Sequence, residues 1–214
     1  MWNSHLSRDG LLIVISGPSG SGKTSVAKVL CQTDTALTVS VSATTRPPRP
    51  NEVDGVDYHF LSHSEFEDLV HRSGFLEWAK YGDNYYGTLK STVESIITSG
   101  KDLILEIDVK GAMQVKALAL KSVGIFILPP SFATLKKRLR SRNTESDAEL
   151  QQRLRTAESE IPYVKDYDYC VVNPDNGVDE AVEQILHIIS AERCRIDNQL
   201  LKLISEEFSG ESAD

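Results

Sequence analysis

A glycine-rich stretch near the start of the chain has the residue types and spacing of a phosphate-binding loop. It follows an apolar run, precedes a helical pattern and satisfies G-x-x-x-x-G-K-[ST] with Gly17, Pro18, Ser19, Gly20, Ser21, Gly22, Lys23 and Thr24. Glycines let backbone N–H groups converge on phosphate oxygens at the positive end of a helix dipole. In such a loop Lys23 reaches the β- and γ-phosphates and the Thr24 hydroxyl ligates Mg²⁺. The pattern predicts a nucleoside triphosphate site without identifying the acceptor.

Two arginines further along have the spacing of a second anion site. Arg46 and Arg49 lie three residues apart around two prolines, which hold the segment extended, so two guanidinium groups can bind one phosphate. Tyr58 and Tyr86 can add hydroxyl donors to the same oxygens. An isolated RPPRP segment would instead be a solvated loop with structural tyrosines nearby.

Two carboxylates, Glu106 and Asp108, end an apolar run that is typical of a buried strand. Open α/β folds bind ligands at the carboxyl edge of the sheet, so one or both side chains should face a cleft. Glu106 could instead pair with a nearby lysine or cap a helix.

Basic residues concentrate between about 131 and 161 in an otherwise acidic chain. Arg138 and Arg142 are four residues apart and share one face of a predicted helix, and Arg153 lies on the next helical segment. A hairpin of the two helices could direct all three guanidinium groups at one polyphosphate. Mobile arginines of this kind stabilise developing charge and exclude water during phosphoryl transfer.

The elements that position these residues alternate along the chain. Runs rich in Val, Ile and Leu at 11–16, 103–107 and 123–128 are separated by helical patterns, the first of them at about 22–31. A further strand is predicted at 167–172, before an amphipathic helix from about residue 178. This order indicates an α/β fold with a parallel sheet flanked by helices on both faces.

Composition excludes some classes of function. The formal net charge of -8 argues against a protein that coats nucleic acid or an anionic membrane, because both would repel it. Cys31, Cys170 and Cys194 are odd in number and far apart, which argues against a disulfide framework or a structural zinc site. The first apolar run is too short for a signal peptide or a membrane span, so we expect a cytoplasmic protein.

Several segments of the chain resemble the guanylate kinase family. They are GPSGSGKT from Gly17, VSVSATTRPPRPNEVDGVDYHF from Val39, FLEWAKYGDNYYGT from Phe75, LEIDVKGA, ILPPSFATLKKRLRSR and ELQQRLRTAESE. The likeness covers about 11–194, and the arginine and tyrosine segments are more specific than the P-loop. The resemblance implies an enzyme, monomeric or homo-oligomeric, that phosphorylates GMP and also dGMP with ATP and Mg²⁺ by direct in-line transfer.

The resemblance also implies an acceptor site. Its GMP-binding residues would be Ser42, Arg46, Arg49, Tyr58, Glu77, Tyr86, Thr88, Glu106 and Asp108. The two arginines and two tyrosines of this set hold the GMP phosphate in the family. Glu77 lies between apolar neighbours and would read the base, because guanine offers donors at N1 and N2 that adenine lacks. By the same resemblance, the Ser42 and Thr88 hydroxyls would contact the guanine ring, and position 88 is commonly serine in relatives. Asp108 would lie near GMP and Mg²⁺.

On the donor side, the resemblance makes Arg138, Arg142 and Arg153 part of a lid that closes on ATP. Together with Lys23 and Arg46 they would be the catalytic residues. Asn173 matches a segment near adenine, although Pro174 departs from the usual acidic residue. Asn51 and Asn143 stand where relatives usually have glycine, which predicts turn positions with positive φ.

We therefore expect one domain over 1–214, made of an α/β P-loop core, a small α+β insertion and a helical lid. The core covers about 11–38, 88–130 and 162–197, the GMP-binding insertion about 39–87 and the lid about 131–161. One helix is predicted inside the insertion, at about 64–72. The tail, about 198–214, is predicted to extend the last helix.

Two other functions compete with this interpretation. A non-catalytic guanylate-kinase-like module that binds protein ligands would lack part of the P-loop or lid chemistry, and both are present here. A P-loop ATPase or small-molecule kinase of another specificity would leave the match in the acceptor segments unexplained.

Overall fold

The computed structural model describes residues 9–140, 147–196 and 198–210. The strands are β1 (Leu12–Ser16), β2 (Leu37–Val39), β3 (Ala43–Thr44), β4 (His59–Phe60), β5 (Phe75–Tyr81), β6 (Asn84–Leu89), β7 (Asp102–Glu106), β8 (Val123–Leu128) and β9 (Tyr169–Val172). The helices are α1 (Lys23–Thr33), α2 (His63–His71), α3 (Lys90–Thr98), α4 (Val109–Ala117), α5 (Phe132–Arg140), α6 (Asp147–Glu160), α7 (Val178–Arg193) and α8 (Asn198–Gly210). A 3₁₀ helix, Ile161–Asp166, follows α6.

The larger sheet is parallel, with strand order β2-β7-β1-β8-β9. Alternate residues of β1 point to opposite faces of it. Ile13 and Ile15 pack with α1 and α7, whereas Leu12 and Val14 pack with α3 and α4. The predicted α/β fold with helices on both faces is confirmed.

The last strand begins two residues later than the apolar run at 167–172 predicts. The Asp168 N–H donates to the carbonyl of Gly124 at 3.0 Å, but the N–H of Gly124 donates to the Asp168 carboxylate at 2.7 Å and not to a backbone carbonyl. Regular pairing with β8 starts at Tyr169.

The smaller sheet has strand order β4-β3-β6-β5. Its strand β6 runs to Leu89, two residues past the predicted end of the insertion at about 87. Helix α2 covers it, and Phe66 of that helix stacks between Phe75 at 4.2 Å and Tyr85 at 5.2 Å. A capping box between Ser62 and Glu65 fixes the start of α2, one residue earlier than predicted.

Helices α5 and α6 share a hydrophobic cluster of their own. Its members are Leu135, Leu139, Leu150, Leu154 and Ala157. Asn51 has the predicted positive φ, 72°. Asn143 lies outside the described residues.

The prediction that the tail extends the last helix is wrong. Helix α7 ends at Arg193, where Cys194 and Arg195 donate to the carbonyls three residues back and tighten the final turn. A separate helix, α8, begins at Asn198. In the part of the chain that the structure describes, no helix has the length and apolar composition needed to cross a bilayer.

A buried carboxylate joins the start of the larger sheet to the end of α7. Asp102 is only 6% exposed, and its two oxygens accept the N–H of Leu11 and Nε of Arg193, both at 2.7 Å. Arg193 also reaches Asp34 at 3.3 Å. The guanidinium group therefore compensates a charge that the fold has taken out of water.

We predict that Arg193→Ala lowers the free energy of unfolding by about 1–2 kcal/mol, because Asp102 loses a charged hydrogen bond at a partly exposed partner. Urea unfolding measures the change, with Lys101→Ala, an exposed neighbour, as the control. A loss no greater than that of the control would contradict the assigned role of the pair.

Candidate functional site

The predicted phosphate-binding loop joins β1 to α1 in a conformation that requires glycine. Gly17, Gly20 and Gly22 have φ of 142°, 88° and 95°. A Cβ on Gly17 would lie 2.3 Å from the carbonyl oxygen of Ile127. Helix α1 has no side-chain N-cap, so its first N–H groups remain available to an anion.

Lys23 and Thr24, the first residues of α1, have different surroundings. The Lys23 ammonium donates to the carbonyls of Gly17 at 2.7 Å and Pro18 at 3.3 Å, so it lies folded over the loop. The Thr24 hydroxyl donates to Oε1 of Glu106 at 2.6 Å. The strand-end carboxylate thus meets the loop directly, a contact between residues 82 positions apart that the sequence did not predict.

Two of the three predicted lid arginines lie against the same loop. Arg153 donates to the hydroxyl of Ser19 at 2.7 Å. Arg138 donates to the carbonyl of Ser21 at 3.3 Å and to the Asp175 carboxylate at 2.9 Å. Arg142 lies outside the described residues.

Asn173 holds the phosphate-binding loop through a hydrogen bond to its backbone. It is 5% exposed, and its amide donates to the carbonyl of Ser21 at 2.9 Å. The backbone carbonyl of Asn173 accepts a hydrogen bond from the Arg138 guanidinium at 3.0 Å. The side chain is therefore committed to the shape of the loop.

Glu160, at the end of α6, is a residue of this site that sequence reasoning missed. Burial raises the pKa of its carboxyl, an effect opposed by the Lys23 ammonium and by the backbone N–H of Ser19. A glutamate in a helix dense in charge looks solvated in sequence, and only the fold brings it to the loop.

A cavity of about 360 Å³ lies next to the loop, between the two sheets. It is lined by Ser42, Glu77, Ala79, Tyr81, Tyr86, Gly87, Glu106, Ile107 and Asp108. Five of these lining residues, Ser42, Glu77, Tyr86, Glu106 and Asp108, belong to the predicted acceptor site. Thr88 lies behind Glu77, to which its hydroxyl donates at 2.7 Å.

Glu77 is a buried carboxylate, 7% exposed. Burial raises its pKa, and the nearby charge of Asp108 raises it further, while the hydrogen bond from Thr88 lowers it. Such a group gains from a ligand that brings hydrogen-bond donors into the cavity.

Asp108 uses both of its carboxylate oxygens. One accepts the N–H of Gly111 at 2.7 Å and caps α4, and the other accepts the hydroxyl of Tyr81. Burial and this hydrogen bond raise the pKa of Tyr81, which sequence reasoning did not select.

The predicted phosphate-binding arginines differ in their surroundings. Arg46 forms a fork with Glu52, at 2.9 and 3.0 Å, and lies 5.3 Å from the centre of the Tyr58 ring. Tyr58 meets Tyr86 edge-on, whereas the Arg49 side chain is exposed. The structure thus brings Arg46 and the two tyrosines together.

Glu52 is a second residue that sequence reasoning missed. It accepts from the Arg46 guanidinium and from the backbone N–H of Arg49 at 2.7 Å, and both hydrogen bonds lower its pKa. An ionised carboxylate therefore holds the position that an anionic ligand of Arg46 would take.

Comparisons with known proteins agree on one family. A family model described as guanylate kinase matches residues 9–192. The chain is 49% identical over 192 residues to a guanylate kinase of Caldanaerobacter subterraneus subsp. tengcongensis, covering 90% of this chain and 92% of the relative. It is 50% identical over 193 residues to one of Clostridium perfringens strain SM101, covering 90% and 88%. The crystal structure of guanylate kinase from Anaplasma phagocytophilum superposes with a TM-score of 0.68 at 31% identity, covering 90% of both chains.

The raised pKa of Glu77 predicts how stability changes with pH. Its carboxyl binds a proton more tightly in the folded state than in the unfolded state, so its contribution to stability falls as pH rises between the two pKa values. Above the folded-state pKa the ionised group costs stability in full. We therefore expect Glu77→Gln to be more stable than the parent at pH 8, with the difference shrinking as pH falls towards about 4, the ordinary glutamate pKa.

Glu65→Gln is the control of opposite sign, because the capping box lowers the pKa of Glu65. It should be less stable than the parent at pH 8, and that deficit should fade at low pH. Urea unfolding across this range measures both. A Glu77→Gln variant that is less stable than the parent at pH 8 would contradict the burial cost assigned to Glu77.

Proposed function

Because this chain belongs to the guanylate kinase family, we propose that its P-loop and its buried cavity are the donor and acceptor sites of the family reaction. The chain is a nucleoside monophosphate kinase that transfers the terminal phosphoryl group of ATP to GMP, giving ADP and GDP. One observation carries the assignment of sites. Glu106 at the end of β7 binds Thr24 of the P-loop, and Asp108, two residues on, lines the cavity with Glu77.

In the acceptor site Glu77 reads the base. Its carboxylate accepts from N1–H and the exocyclic amine of guanine, and these donors relieve the cost of its burial. Thr88 keeps one Glu77 oxygen in place and so acts on the base through Glu77, while Ser42, which lines the cavity, provides a hydroxyl for the ring. Asp108 completes the cavity wall near the substrate.

The GMP phosphate is held by Arg46, Arg49, Tyr58 and Tyr86. Arg46 exchanges Glu52 for phosphate, which preserves its bidentate geometry because carboxylate and phosphate oxygens suit the same guanidinium fork. The residues that would select GMP recognise its base and its phosphate, and we assign none to the ribose 2′-hydroxyl, so we propose that dGMP is also a substrate.

In the donor site the backbone of Gly17–Thr24 binds the ATP phosphates. Lys23 leaves the loop carbonyls to reach the β- and γ-phosphates, and Arg138, Arg142 and Arg153 neutralise charge as the γ-phosphoryl group transfers. Asn173 acts on ATP through the loop, because its amide is bound to the Ser21 carbonyl.

We propose that Thr24 would hold Mg²⁺ together with ATP phosphates, and that Glu106, which the resemblance places in the GMP site, would be a second protein ligand. Hydroxyl and carboxylate oxygens are the hard ligands that this ion prefers, and it commonly takes only one or two from the protein. The 2.6 Å hydrogen bond already brings these two oxygens to one point of the cleft. When bound, the ion would neutralise charge on the phosphates.

The residues act by position and charge, without a covalent intermediate. Arg46 and Arg49 hold the attacking GMP phosphate in line, while the lid, about 131–161, excludes water as it closes over the P-loop. The insertion, about 39–87, would bind GMP and bring it towards the P-loop. We also propose that the enzyme works in the reducing cytoplasm.

The complete P-loop favours this enzyme over a non-catalytic protein-binding module. Coupled measurement of ADP formation with GMP, AMP, CMP and UMP tests the proposal. Turnover with GMP far above the other three supports it, and equal rates with AMP would overturn the assignment of the cavity.

We predict that Lys23→Met reduces turnover by roughly 10²–10³-fold while the protein stays folded, because one preorganised cation at the transferring phosphoryl group is lost. Lys28→Met, on the exposed face of α1, is the matched control. Single-turnover kinetics and circular dichroism measure the effect. Turnover close to the control value would remove Lys23 from the catalytic residues.

We also predict that Glu77→Gln lowers kcat/KM for GMP by about tenfold or more and narrows the preference for GMP over AMP. Glutamine replaces one acceptor oxygen with a donor that faces a guanine donor. Glu158→Gln, which removes the same charge from an exposed position of α6, is the control. If the GMP preference survives in Glu77→Gln, the base is read by other residues.

A further inference from the structure

One face of α4 is in contact with β5, the strand that carries Glu77. Asp108, Gly111 and Gln114 lie three residues apart, at the cap and along the same side of this helix. They contact Tyr81, Glu77 and Trp78 respectively. The base-reading strand is therefore seated on a helix of the core.

Gln114 makes the most specific of these contacts. Its side-chain oxygen accepts the backbone N–H of Trp78 at 3.1 Å, and its side-chain nitrogen donates to the carbonyl of Trp78 at 3.0 Å. A carboxamide carries the same donor and acceptor as a peptide group, so Gln114 pairs with Trp78 as another strand would.

The position of β5 in its sheet explains why this pairing matters. It is the edge strand of the order β4-β3-β6-β5, and among the described residues only β6 pairs with it. The N–H and C=O of Trp78 point away from β6 and would otherwise depend on water. Gln114 satisfies both backbone groups of Trp78 at the open edge of the sheet.

Glu77 precedes Trp78 in β5, and its carboxylate packs closely against α4. A Cβ on Gly111 would lie 2.8 Å from Oε2 of Glu77, so the carboxylate lies against the bare backbone of the helix. Movement of β5 away from α4 would carry this carboxylate out of the wall of the cavity.

We propose that Gln114 is a positioning residue for guanine recognition, which holds the edge strand so that Glu77 meets the base, with the Tyr81–Asp108 hydrogen bond as a second link. The inference rests on the proposed role of Glu77. Gln114 itself does not line the cavity, so it acts through the strand.

The test replaces Gln114 with methionine, which keeps the length and the apolar stem but removes both hydrogen bonds. Gln184→Met, at an exposed position of α7, is the matched control. We expect Gln114→Met to raise KM for GMP by about tenfold, with KM for ATP within about twofold, because two neutral hydrogen bonds are lost on the acceptor side alone. The preference for GMP over AMP should narrow with it.

Amide hydrogen exchange provides a readout independent of activity. Peptides covering 75–81 should exchange faster in Gln114→Met than in the control, while peptides from β1 should not change. Tyr81→Phe, which removes the second link, should also raise KM for GMP. It replaces Gln114→Met in the test if that variant does not fold.

Three results would overturn the proposal: unchanged exchange at 75–81, an unchanged KM for GMP despite faster exchange, or equal increases in KM for GMP and ATP. These are distinct from a failure of the proposed function. If Glu77→Gln keeps the guanine preference, the role of Glu77 falls, whereas the exchange experiment still reports whether Gln114 holds the strand.

Discussion

The parallel pairing of β1 with β7 is the constraint on which the site depends. Its register sets Ile15 beside Glu106, so the loop that leaves β1 and the carboxylates that leave β7 emerge at the same edge of the sheet. From there Glu106 reaches Thr24, and Asp108 turns to cap α4 and face the cavity. A slip of one residue in this pair would point Glu106 to the opposite face of the sheet and separate the two substrates.

Carboxylates of the protein lie at the cations to which we assign phosphate binding. Glu52 lies in the fork of Arg46, Asp175 accepts from Arg138, and Glu160 lies beside Lys23. On the proposed assignment each carboxylate would be displaced by a phosphate, so part of the attraction between cation and substrate would be offset by breaking an existing pair. This exchange favours ligands with more negative charge and more acceptor oxygens than a single carboxylate offers.

Much of this arrangement could be predicted from local sequence. Runs of Val, Ile and Leu identified β1, β7 and β8, the run at 167–172 identified β9, and the P-loop was complete in eight consecutive residues. The three-residue strand β2 was not predicted. The contacts that the sequence did not predict join distant residues, as Gln114 joins Trp78 and Glu160 approaches Ser19. Glutamine and glutamate in a helix have the same local pattern whether they face solvent or a strand edge, so only the three-dimensional fold distinguishes them. The end of α7 was missed because helical periodicity continues through the residues where the backbone turns.

The separate hydrophobic cluster shared by α5 and α6 bears on how the proposed lid would move. A hairpin that buries its own leucines keeps its internal packing when it leaves a neighbouring surface, so it behaves as one cooperative body. Arg138 on one helix and Arg153 on the other would then keep a nearly constant separation while the proposed lid opens and closes. The conformational entropy of orienting the two helices relative to each other is thus lost once, when the chain folds, and not again in every catalytic cycle.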